Sequence, residues 1–272
     1  MIDRNTPPKK KITLSTILFP FKALKEKDVF INLIVGATHY TVWSMVTSST
    51  TALFEGPFNL NLLQLGLIFL PNGIGSTMGS LITGKQSQRG WDDAKRAYRK
   101  EKNILESIAL NKKDLVDFPF EKARMRNMWW MVLIFVVSTG IYGYSLRLTD
   151  DIVAPLILQF LIAYTQASIF NINQTLIGDL YPEVSASASA INNLVRCLIG
   201  AGDVTVIQPM IDAIGAGPSF VIPAGIAGLV SLLLILEWYK GEGWRRSRKE
   251  RLATEKLAKP DAENVVVSDE KK

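Results

Sequence analysis

The chain has 272 residues, 48% of them hydrophobic, and 31 Lys and Arg against 25 Asp and Glu, for a formal charge of +6. One cysteine, Cys197, excludes an intrachain disulfide framework, and one histidine, His39, leaves no His-based metal site. In a soluble protein the positive balance would point to nucleic acid. Here the basic residues flank long apolar runs, so anionic lipid headgroups are the expected partner and nucleic acid is not.

Residues 1–28 form a basic arm with Lys9, Lys10, Lys11, Lys22, Lys25 and Lys27. Pro7, Pro8 and the lysines do not open a secretory signal. Pro20 kinks the interrupted amphipathic stretch that follows, so the first true span is expected to insert by itself. A bilayer core of about 30 Å needs roughly 20 apolar helical residues. Residues 29–54, 56–84, 127–146, 152–178, 188–214 and 215–236 each supply them, and five of these six runs contain no Asp, Glu, Lys or Arg. The expected organisation is the arm, a six-helix membrane unit over 29–236 with a long loop at 85–126, and a tail over 237–272 that is basic and then disordered.

Lys and Arg are retained on the cytoplasmic face of a membrane. The arm, the 85–126 loop and a tail with Arg245, Arg246, Arg248, Lys249 and Arg251 are basic, whereas the turns near Glu55, Thr149 and Gly217 hold only Arg147. Both termini and the long loop are therefore expected in the cytoplasm, with the protein integral to the plasma membrane. Within the loop, residues 92–110 read as a surface helix, either lying on the membrane interface through Tyr98, Ile104, Leu105, Ile108 and Leu110 or serving as a solvated linker.

The spans differ in polarity. The third and sixth are uniformly apolar, with Trp129, Trp130, Trp238 and Tyr239 as interfacial anchors, and are expected at the periphery. In the first, Asn32, Gly36, His39, Trp43, Thr47 and Thr50 recur at steps of three and four and share a face. In the fourth, Gln159, Gln166 and Asn173 repeat every seven residues, flanked at the end by Asn171 and Gln174. Asn192, Arg196 and Asp203 share a face of the fifth, and Asn61, Gln64 and Asn72 give the second a weaker polar set. Two readings stand for these side chains: the wall of a wetted cavity, or hydrogen bonds that hold helices together at about 0.6 kcal/mol each. Their concentration in four spans favours the cavity.

Charge at membrane depth is a stronger signal, because an Arg or Asp at mid-helix costs roughly 2.5 to 3.5 kcal/mol on translocon scales. Asp203 reads as a proton carrier or as a group facing water, and Arg196 as a functional charge or as a side chain snorkelling to the interface. His39 suits a proton relay or buried packing. Gly75 and Gly79 form a GxxxG pair whose expected meaning is close helix crossing, while Pro155, Pro209 and Pro223 are expected to bend helices. There is no phosphate-cradling loop, no His-Glu-x-x-His pair and too little histidine for acid–base chemistry, so neither enzyme activity nor a cofactor is expected.

The run Gly178-Asp179-Leu180-Tyr181-Pro182, then Ser185-Ala186-Ser187-Ala188-Ser189-Ala190 and Asn192-Asn193-Leu194-Val195-Arg196-Cys197, closely resembles the tenth-to-eleventh-helix region of fungal drug:proton antiporters of the major facilitator superfamily, the quinidine-resistance-like group. Leu70-Pro71-Asn72-Gly73-Ile74-Gly75-Ser76, and Phe118 through Arg126, resemble the same family. The resemblance implies an all-α membrane protein whose six spans are helices seven to twelve of a twelve-helix transporter, the arm being its central loop. It implies proton-coupled export of drugs or small organic molecules, the substrate cavity lying between two six-helix halves. The cavity candidates are then Asn32, His39, Trp43, Gln159, Gln166 and Asn173, with Arg196 and Asp203 as the coupled charges. Two departures stand out. Gln88 replaces the family's carboxylate in Gly-Lys-x-x-Asp-Arg, and Asp203 stands where a small residue is usual. Because only the C-terminal half is represented, the expected partners include a missing N-terminal half or a second copy in a homodimer. The alternative is a truncated, non-transporting membrane protein that binds or modulates a full-length relative.

Overall fold

A computed structural model describes residues 26–58, 60–104, 118, 120–148, 151–180 and 185–257. Every regular element among these residues is a helix: α1 (Lys27–Phe58), α2 (Leu62–Leu67), α3 (Leu70–Lys102), α4 (Phe120–Met125), α5 (Met128–Leu148), α6 (Val153–Leu180), α7 (Ser185–Ile214), α8 (Ala216–Ser231) and α9 (Leu233–Leu257). Six segments are long and apolar enough to cross a membrane: Lys27–Glu55, Leu62–Lys102, Met128–Leu146, Val153–Leu180, Ser189–Ile214 and Ala216–Arg248. This is the all-α, six-span architecture expected from the sequence. Most of the arm, the tail from residue 258, the middle of the long loop, and Pro119, Tyr181 and Pro182 of the family-like runs lie outside the described residues.

α1 and α6 form the centre. α6 packs along α3 and α5 and touches α1, α7 and α4, while α1 packs against α7, α6, α8 and α9. α5 and α8 pair on one flank. They expose Leu133, Val137 and Ile141 from one helix and Val221, Ile226 and Leu229 from the other, with Trp129 and Trp238 in edge contact 6.3 Å apart. Large apolar residues on the outside would be costly in water, but lipid gives them nothing to escape. α3 and α7 are the least enclosed spans and expose Ile74, Met78, Leu81, Leu194, Leu198 and Val206.

The α3–α6 seam explains the glycines of α3. Its buried residues Asn72, Gly75, Gly79, Thr83, Ser87 and Trp91 lie on one stripe, nearly all small. A Cβ on Gly75 would sit 2.5 Å from the Phe160 carbonyl oxygen, and one on Gly79 would strike that of Tyr164. Below them Thr83 Oγ1 donates to Ser168 Oγ at 2.8 Å. The GxxxG pair therefore does what its spacing implies: it lets two backbones touch.

Three details depart from expectation. Residues 92–102 are not a separate surface helix but the continuation of α3, whose inner face is held there by Trp91 against Phe118 and Phe120. α3 ends at Asn103, which adopts a left-handed conformation (φ 52°). Asn61 and Gln64 line no pathway: each accepts from the other's backbone N–H at 2.9 Å, forming a capping box at the start of α2. Pro155 falls in the first turn of α6, where its missing N–H breaks no helical bond, whereas Pro209 and Pro223 lie inside α7 and α8. Between α7 and α8 only Gly215 is non-helical, at φ 85°, a conformation an L side chain would strain.

Candidate functional site

Arg196 of α7 is held where α7 meets the two central helices, α1 and α6. Its guanidinium lies 4.5 Å from the centroid of Tyr40 on α1 and 4.7 Å from that of Phe170 on α6. Gly200, one turn on, leaves room for the Tyr40 ring, since a Cβ there would stand 3.0 Å from Tyr40 Cε1. Arg196 Nε is buried without an acceptor among the described residues, while the side chain as a whole is half-buried. Two aromatic faces thus stabilise the cation, roughly 0.5 to 2 kcal/mol apiece, and no carboxylate of the described residues pairs with it. Its buried Nε–H has no acceptor in the protein among the described residues.

Trp43 adjoins this cluster, its ring 5.4 Å from Tyr40. Its Nε1 donates to Asn72 Oδ1 at 3.1 Å, Asn72 Nδ2 donates to Thr47 Oγ1 at 3.0 Å, and Thr47 Oγ1 donates back to the Trp43 carbonyl at 2.9 Å. This closed ring ties α1 to α3 and fixes a half-buried indole.

The remaining candidates disperse. Asn173 Nδ2 lies against the Asn32 carbonyl at 3.5 Å, with Gly36 leaving space for its amide, so these two residues meet at the α1–α6 contact. Gln159 points toward the flank and donates to Thr50 Oγ1 at 2.8 Å and Tyr142 OH at 3.1 Å. His39 turns the same way: its Nδ1 donates to the Val35 carbonyl at 2.8 Å, its Nε2 lies 3.3 Å from Ser231 Oγ, and its ring packs on Phe135. Gln166 is buried in α6, and Asp203 is buried in α7 about two turns beyond Arg196. Several hydroxyls of α1 bond their own helix, Thr38 to Ile34, Ser49 to Met45 and Thr50 to Val46, so they need no partner from a cavity.

A second polar concentration closes the end of the bundle where α4 and α9 lie. Arg124 of α4 donates to Asp179 of α6 at 2.7 Å and to the Ser87 carbonyl and hydroxyl of α3 at 3.0 Å, its guanidinium 4.9 Å from the Trp91 ring. Arg245 of α9 grips both oxygens of Glu121 at 3.0 and 3.2 Å and the Phe118 carbonyl at 2.6 Å. Arg248 donates to Asp28 of α1 at 2.7 Å, and Arg251 to Glu26. Burial pushes the Glu121 carboxyl above its usual range, an effect that Arg245 opposes. The pairs therefore clip four helices together at one end.

No family model matches the chain. Citrate exporter 1 of Aspergillus niger is 44% identical over 244 residues, which are 90% of this chain and 46% of that protein. The MFS antiporter QDR1 of Candida albicans is 30% identical over 224 residues, 82% of this chain and 43% of the relative. The chain belongs to the major facilitator family and corresponds to one half of its fungal members. The MFS-type transporter clz19 of Cochliobolus lunatus, 28% identical over 93% of the chain, spans the same proportion, with 47% of its length covered. The chain thus spans a little under half the length of these relatives, in keeping with the six helices seen.

In this major facilitator half, sequence reasoning picked out Arg196 but missed the rings that hold it, because Tyr40 and Phe170 look like ordinary apolar residues of their spans. It also missed the pairs at the charged end. Asp28, Asp179 and Glu237 each sit one residue outside a run assigned by apolarity. A carboxylate at the edge of a span, with arginine elsewhere, is the only signal the sequence carried for them.

Proposed function

We propose that the chain is the C-terminal half, helices seven to twelve, of a proton-coupled exporter of small organic anions. Arg196 would take the substrate's carboxylate between Tyr40 and Phe170. The observation that carries this reading is a half-buried guanidinium stacked between two rings with an unfilled buried N–H. The citrate exporter's 44% identity supports the same substrate class. Trp43 and Asn72 would form the adjoining wall, with Gln166 and the Asn32–Asn173 pair deeper in the bundle, while Gln159 and His39 would hold the flanking helices.

The exposed faces of α3 and α7 would receive the complementary half, from a longer chain or a second copy. The arm, the charged end and the tail would face the cytoplasm from the plasma membrane, as the loop charges favour. Asp203, buried on the same helix about two turns from Arg196, would carry the coupled proton. Asp203→Asn is then expected to flatten the pH dependence of efflux, measured as export rate against external pH. An unmoved profile removes that role.

A second reading, export of lipophilic drugs, is favoured by the aromatic side chains Tyr40, Trp43 and Phe170 gathered around Arg196. Arg196→Gln separates the two. In cells carrying both halves, citrate efflux should fall at least about tenfold, consistent with the loss of a charge-assisted bond, with export of a lipophilic cation unimpaired. Unchanged citrate efflux with lost cation export would favour the drug reading.

A further inference from the structure

Three buried carboxylates, Asp28, Glu121 and Glu237, converge at the charged end, where α9 meets α1 and α4. Two arginines answer them: Arg248 pairs with Asp28 and Arg245 with Glu121. Glu237 is left over. It is fully buried, its Oε1 accepts from Asn32 Nδ2, and its Oε2 has no hydrogen-bond partner among the described residues. Asn32 Oδ1, also buried, lacks a donor as well.

The other charges on the elements packed against Glu237 do not alter this count. Just before α1, Glu26 is engaged by Arg251, and Lys27 at its start is exposed. On α4, Arg124 is committed to Asp179 and Lys122 is exposed. Lys240 on α9 itself points outward, and α8 carries no charge. An uncompensated carboxylate at this depth is costly, and the usual resolution is neutralisation. A proton on Oε2 would remove the surplus charge and supply a donor where two acceptors lack one.

We propose that Glu237 is a proton-binding site, neutral while α1, α4 and α9 are clipped together, and that release of its proton is linked to the parting of α1 from α9. Once ionised, Glu237 competes with Asp28 and Glu121 for the two arginines and loosens both clips. The site is separate from Arg196, and its test needs no substrate.

The test uses the full chain purified in lipid nanodiscs, comparing infrared spectra and thermal unfolding of wild type and Glu237→Gln from neutral to alkaline pH. The expected result has three parts. Wild type shows a protonated-carboxyl C=O band at neutral pH that Glu237→Gln lacks. The variant, which mimics the neutral acid, unfolds at or above the wild-type temperature. Wild type, but not the variant, loses stability as pH rises and the band fades. A variant that keeps the whole band overturns the proposal. So does one that is misfolded or less stable at neutral pH, since that would show the ionised carboxylate to be required.

Discussion

Gly79→Leu is expected to leave almost no correctly assembled protein. The α3–α6 seam is a backbone contact, and the Tyr164 carbonyl occupies the place of the new Cβ. A flexible side chain could swing aside, but a carbonyl within α6 cannot move without opening its helix. The cost should exceed the ~1–3 kcal/mol typical of an overpacked core. It would also spread along the stripe, separating Thr83 from Ser168 and weakening the Ser87 contacts of Arg124. Gly84→Ala is the internal control: nothing lies within 4 Å of a Cβ there, and replacing a mid-helix glycine gains roughly 0.5–1 kcal/mol. Size-exclusion profiles of fluorescently tagged protein should show aggregate for the first and a sharp peak for the second. Two equal peaks would mean that the seam is looser than drawn.

Asp179→Ala should be the most damaging change at the charged end. It leaves Arg124 buried among Ser87, Trp91 and α6 with its carboxylate gone. Removing one partner of a buried pair costs about 3–5 kcal/mol, because the surviving charge is left uncompensated. Asp179→Ala combined with Arg124→Ala should therefore recover much of the lost stability, and a double-mutant cycle read by thermal unfolding gives the coupling. Additive losses would show that the two residues do not act as a pair. A neutral Asp179→Ala would contradict the contact itself.

What the sequence made legible was whatever depends on short range. Span length and apolarity set the six crossings, and the spacing of Gly75 and Gly79 set a close helix crossing. Side-chain direction at long range was not legible. Trp43 and His39 lie four residues apart on α1, yet one turns to Asn72 on α3 and the other to Phe135 and Ser231 on the flank. The reason is geometric: about 100° of helical turn per residue makes a polar stripe broad, and a broad stripe meets more than one neighbour. Thr47 and Thr50 looked like cavity polarity, but each donates to a carbonyl of its own helix. The Asn61 and Gln64 pair had the spacing of a capping box, a local motif that was open to recognition. The pairs Asp28–Arg248 and Glu121–Arg245 join residues more than a hundred positions apart, and no local pattern announces them.

The most direct measurement is efflux of radiolabelled citrate under a proton gradient, from vesicles holding this chain together with the part of the Aspergillus niger citrate exporter that it does not match. The expected result is gradient-driven efflux that needs both pieces and is lost in Arg196→Gln. Absence of efflux from the paired pieces, or efflux that Arg196→Gln leaves unchanged, would contradict an anion path through Arg196.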